Sequence, residues 1–155
     1  MGKLSKSIIL QGIDYREDVF LPAYNATVSI RPLTDIELYE CREKAGILDM
    51  ITKFGITGKS EAEIIKQISS DPKTEKEWIV ASSRLAIEAA KRGIVDSELR
   101  EMVDNPLKGQ PGQPDKVMAL ELLRGGSLEL IGYRIIEITS GDISNFTTPT
   151  KESDS

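Results

Sequence analysis

Few residues in this chain have the type and spacing to do chemistry. Gly58-Lys59-Ser60 looks like the end of a phosphate-binding loop, in which backbone amides cradle phosphate and the lysine reaches it. That pattern needs a glycine at position 53, where the chain has Lys53, and no buried strand leads into it. Ser60 reads instead as a helix cap. Cys41 is the one thiol, and with no histidine anywhere in the chain nothing is available to take its proton, so it reads as a packed residue. No Cys/His cluster suits zinc and no spaced Asp/Asn/Gly loop suits calcium. The pairs Glu40 and Glu43, and Glu98 and Glu101, stand at helical spacing among lysines and arginines, the pattern of a solvated face. These residues point away from catalysis, and no metal or other cofactor is expected.

The totals narrow the class further. A chain of 155 residues is the size of one domain with a real core. The formal charge of −5 and the lack of a basic run argue against a nucleic-acid surface. A single cysteine permits no internal disulfide, which fits a reducing, cytoplasmic setting. No apolar run is long enough to span a bilayer, and the apolar patch in MGKLSKSIIL is too brief for a signal peptide.

The elements follow from caps and periodicity. Thr74 with Glu77 makes a capping box and Gly93 a stop, so a central helix covers 74–92. Lys91, Arg84, Glu88 and Arg92 share one narrow arc of it. Trp78, Ile79, Val80, Leu85, Ala86, Ile87, Ala89 and Ala90 cover most of the remainder, which predicts a helix wrapped by others, with Trp78 buried. Upstream, residues 7–31 look extended. Ser7–Leu10 is a short apolar run, and β-rich Val19–Leu21 and Thr27–Ile30 flank Pro22-Ala23-Tyr24-Asn25, predicting a hairpin. A lone hairpin is marginal in water, so it must lean on helices or join a partner's sheet.

Thr34 and Glu37 form a second capping box, predicting a helix from Asp35 to Ala45 that stops at Gly46, with another over 47–54. Ser60 and Glu63 form a third, predicting a helix over 61–69 with Ile64, Ile65 and Ile68 inward. Asp96 is expected to cap a short helix to Val103, with Leu99 and Met102 inward. Residues 104–114, with three prolines and two glycines, read as an exposed connector, and Pro114 as the first residue of a helix over 115–124. Gly125-Gly126-Ser127 then splits it from a helix over 128–138 in which Leu128, Ile131, Ile135 and Ile138 keep a three-four spacing.

The expected architecture is mainly α. A single helical domain spans 1–140, with about five to seven helices and a short N-terminal β-hairpin, before a disordered tail at 141–155. Apolar residues on 115–138 point in nearly every direction, which reads either as core packing alone or as a surface of which part binds another chain, since a small domain has limited room to bury two helices on all sides. On the second reading Val117, Leu120, Leu123, Leu128, Ile131, Ile135 and Ile138 are the candidate surface for binding another protein.

The segment ATVSIRPLTDIELYECREKA at 26–45 resembles the N-terminal part of tail assembly chaperones of long-tailed bacteriophages: a short strand, Arg-Pro-Leu-Thr, then a charged helix opened by that Thr. The end, LELIGYRIIEITSG at 128–141, is similar to the last helix of such proteins, which closes in a Ser-Gly pair before a loose tail. The resemblance covers these two stretches only. It implies a small helical, non-enzymatic protein of the host cytoplasm that keeps the long helical tape-measure protein soluble while tail-tube subunits assemble, and that is absent from the finished particle. It also implies a longer frameshifted product. The alternative role is a ring-forming head–tail connector or tail component, self-associating and retained in the particle; the short hairpin strands speak against it.

Overall fold

The computed structural model describes residues 2–53, 63, 66 and 70–141, with backbone alone for 51–53. Over these residues the chain is mainly helical, with five α-helices and two short antiparallel hairpins. The expectations for Ser60, Ile64, Ile65, Ile68 and the tail beyond Gly141 fall outside the described residues; Glu63 and Lys66 are helical.

Helix α1 spans Lys6–Ile13, where the sequence suggests an extended run. Ser5 explains the difference: its Oγ accepts the Ile8 amide at 3.2 Å and satisfies a first-turn donor. None of the residues of α1 is buried. The expected hairpin then forms from β1 (Glu17–Leu21) and β2 (Ala26–Ile30), registered from Glu17–Ile30 to Leu21–Ala26. Its turn closes through Asn25 at φ 49°, a left-handed conformation that asparagine tolerates. Strand alternation sends Val19, Leu21, Val28 and Ile30 inward, so the hairpin leans on its own helices.

Helix α2 (Asp35–Ala45) carries the complete Thr34–Glu37 capping box and ends on Gly46 at φ 84°. Helix α3 (Ile47–Lys53) follows at once. Helix α4 runs Pro72–Gly93 and starts earlier than the Thr74 box predicts. Asp71 is the cap, its Oδ1 accepting the Lys73 amide at 3.2 Å, while Thr74 is buried and donates to Asp71 Oδ2 at 2.8 Å. Pro72 has no amide to leave unsatisfied at the first helical position, so the helix extends back to it. Nor is α4 wrapped on all sides. Thr74, Ala81, Ala86, Ala89, Ala90 and Gly93 are buried, whereas Trp78 is half-buried and Ile79 and Val80 are exposed.

After α4 the chain closes the outer edge of β2. The amides of Arg31 and Val95 donate to the carbonyls of Gly93 and Ser29, and the Asp96 carboxylate accepts the Ser29 amide at 2.8 Å. Asp96 is therefore spent on the strand and does not cap a helix; only a 3₁₀ turn, Ser97–Arg100, follows. Leu99 packs against the core, but Met102 is exposed on β3 (Met102–Asp104). That strand pairs with β4 (Lys116–Met118), where a helix was expected. Lys116 sits opposite Asp104 and reaches it at 2.8 Å, Val117 sits opposite Val103, and a 3₁₀ turn (Ala119–Leu122) follows. Pairing across the chain overrides local helix propensity here.

The exposed connector 104–114 is thus largely the loop of this second hairpin. Buried Asn105 organises it: its side-chain nitrogen donates to Gln113 Oε1 and the Pro114 carbonyl, and its Oδ1 accepts the Leu107 amide. Gly125 and Gly126, at φ 71° and 76°, turn the chain into α5 (Ser127–Thr139). α5 crosses α4 so closely that a Cβ at Gly132 would lie 1.8 Å from the Ala86 carbonyl oxygen. The main core gathers hairpin residues with Leu38, Cys41, Ala89, Ala90, Ile94, Leu120, Ile131, Ile135 and Ile138. No helix among the described residues is long and apolar enough to cross a membrane.

Candidate functional site

Of the two readings of the seven apolar residues on 115–138, core packing is the one the structure shows. Leu120, Ile131 and Ile135 are fully buried, Ile138 nearly so, Leu123 and Leu128 pack against the same cluster, and Val117 is half-buried in β4. The α4–α5 crossing explains this. Small residues on α4 let the backbones approach, and the inward stripe of α5 fills the space against α4 and the hairpin. Cys41 is likewise in the core, where burial pushes its thiol pKa up, away from a reactive thiolate. Among the described residues no group of three His, Cys, Asp or Glu side chains is placed to hold a metal ion.

Apolar surface remains elsewhere. Trp78, Ile79 and Val80 are consecutive on α4, 100° apart around the helix, so one neighbour cannot cover all three. That succession was the available sequence signal. Trp78 turns towards a small satellite core of Ala45, Ile47 and Ala81, joined by Met50. Val80, 43% exposed, lies along a groove of about 550 Å³ between the α2–α3 junction and α4. Ala45, Gly46, Met50, Val80 and Ala81 form its floor.

The rim of this groove is mainly positive. Lys73, Lys76 and Arg84 are exposed on α4, spaced three and eight residues apart, and they bring three positive charges against Glu77. This basic rim stands on a chain of formal charge −5. An apolar trough with cationic edges can hold an amphipathic helix: apolar side chains fill the floor while carboxylates meet the lysines and arginine. The groove is open, and its described lining residues offer no constellation of nucleophile and base.

The chain was compared with protein-family models, curated proteins and solved structures, and it matches none of them.

Proposed function

We infer that this protein is a non-enzymatic assembly chaperone or scaffold whose task is to hold an amphipathic helix of a longer partner. The groove of α2, α3 and α4, apolar on its floor and basic on its rim, carries that reading. The resemblance of 26–45 and 128–141 to phage tail assembly chaperones names the client class: a long helical tape-measure protein, shielded while tail-tube subunits assemble, in the host cytoplasm. A soluble protein with long apolar helices needs a partner that covers their apolar stripe, and a groove of this kind does so without any reaction.

The test uses the single tryptophan as reporter, since Trp78 packs against the floor of the groove. An acidic amphipathic peptide, with leucines at three-four spacing and glutamates flanking them, is expected to shift its emission on titration. Reversing Lys73, Lys76 and Arg84 to glutamate should weaken binding by about tenfold or more, since each rim charge contributes about 0.5 kcal/mol or more and 1.4 kcal/mol is tenfold. Equal affinity for a lysine-flanked version of the peptide would reject the groove. Capture from producing cells then tests the client: recovery of a long helix-rich protein supports the chaperone, and its absence counts against it.

A further inference from the structure

A second groove, sharing no lining residue with the first, runs between β1 and the outer face of α5. It measures about 750 Å³ and is lined by Glu17, Asp18, Val19, Leu130, Tyr133, Arg134, Ile136 and Glu137. Among the described residues β1 pairs only with β2, and its other edge is free. Ser29 directs its amide and carbonyl away from β1, to Asp96 and Val95, so the facing pair Asp18–Ser29 exchanges no ladder bonds. By antiparallel alternation the same holds for Phe20 and Thr27. The backbone N–H and C=O groups of Asp18 and Phe20 therefore point outward, and among the described residues nothing meets them.

We propose that this edge accepts an extended peptide segment in which basic and apolar residues alternate, added to β1 as an antiparallel third strand. Geometry fixes the alternation. A residue of the added strand that exchanges hydrogen bonds with Asp18 or Phe20 has its side chain on the same, solvent-facing side as theirs. There a lysine or arginine meets the Asp18 carboxylate and the face of Phe20, which is 52% exposed. The intervening residues turn to α5, where Leu130 and Tyr133 are 40% and 48% exposed and offer apolar contact.

Charge selects the occupant. Glu17, Asp18 and Glu137 outnumber Arg134, which is already held by both Glu17 and Glu137. A second copy of the chain would bring the same three carboxylates to the edge. The chain's own segment 142–155, with Asp142, Glu152 and Asp154 against Lys151, is acidic as well. Both are disfavoured against a basic segment.

The probe is the synthetic peptide acetyl-KVKVKVK-amide, added to the full chain and followed by calorimetry and by amide exchange of Asp18 and Phe20. Binding with slowed exchange at these two amides is expected. Methylating the lysine backbone nitrogens should abolish it, and methylating the valine nitrogens should not. The peptide acetyl-EVEVEVE-amide should not bind. Asp18→Lys, at an exposed position, should weaken KVKVKVK by about tenfold, as an opposite-charge neighbour becomes a like-charge one. Three results would overturn the proposal. One is unchanged binding after lysine methylation. Another is Asp18 and Phe20 amides already protected in the free protein, with a concentration dependence that reports a second copy and without one that reports the chain's own segment. The last is no binding at all.

Discussion

Gly93 and Gly132 are both tight glycines at the α4–α5 crossing, and they differ in what a methyl group would strike. At Gly93 the nearest atoms are all of the Ile135 side chain, Cδ1 at 2.4 Å with Cγ1 and Cγ2 at 3.0 and 3.1 Å, so a buried side chain must shift but no backbone. At Gly132 the nearest atom is backbone, the Ala86 carbonyl at 1.8 Å, so the helices themselves must separate. Gly132→Ala should therefore destabilise by about 3 kcal/mol or more, and Gly93→Ala by about 1 kcal/mol once the gain in helix propensity is set against the crowding. Urea denaturation of both variants checks the order. Glu37 carries a second prediction. The Arg31 guanidinium, bidentate at 2.9 and 2.8 Å, and the Thr34 cap hold its carboxyl down to about 2 from an ordinary 4.5. A carboxyl pKa lowered by folding stabilises above the ordinary value and loses that contribution as pH falls through the lowered one. The stability gap between the native chain and Glu37→Gln should be full at neutral pH, shrink below pH 4.5 and close near pH 2 in denaturation curves.

Single elements divide by whether their determinants are local. α2 was legible in the sequence because Thr34, Glu37 and Gly46 all lie within the helix and its two ends, and hairpin β1–β2 because the turn sits between its strands. The pairing of β3 with β4 was not. Its partners are separated by the loop that Asn105 organises, and nothing within Lys116–Met118 alone reveals Val103 opposite Val117. Core packing and a binding surface stayed undivided on 128–138 for a related reason. Spacing identifies the stripe Ile131, Ile135 and Ile138, but only the close approach at Gly132 shows that α4 already fills it. The second hairpin makes its own prediction. Asn105→Ala removes two donated bonds and one accepted bond from a buried site, at a cost of about 2 kcal/mol, and should open the loop locally. Limited proteolysis should then cut within 106–113 before the rest of the chain. α1 is the opposite case. With no buried residue in it, a chain lacking residues 2–11 should melt within about 4 °C of the intact one.

At the scale of the whole molecule, the two clusters of buried residues among the described residues are unequal, and α4 joins them. Its C-terminal half, with Ala86, Ala89, Ala90 and Gly93 buried, belongs to the main core together with α5 and the first hairpin. Its N-terminal half is held by the satellite core of Ala45, Ile47 and Ala81, and carries Ile79 and Val80 into solvent. Local stability follows the apolar contacts that must be broken to open a segment. Native-state hydrogen exchange should therefore find the amides of Ala89, Ala90 and Ile135 opening only with global unfolding. Those of Ile79 to Ser83 should exchange through a partial opening about 2 kcal/mol or more below it. A uniform opening free energy along α4 would refute this division. The weak half is also the wall of the basic-rimmed groove, so an occupant there is linked to its stability. An acidic amphipathic peptide at a hundred times its dissociation constant should raise the opening free energy of Ile79 to Ser83 by about 2.7 kcal/mol. It should leave the partial opening of the Asn105 loop where it was, because that loop contributes nothing to the groove. Protection gained at the groove wall and not at the loop would place the helical client on α4 and would show that binding, rather than the fold alone, completes that end of the molecule.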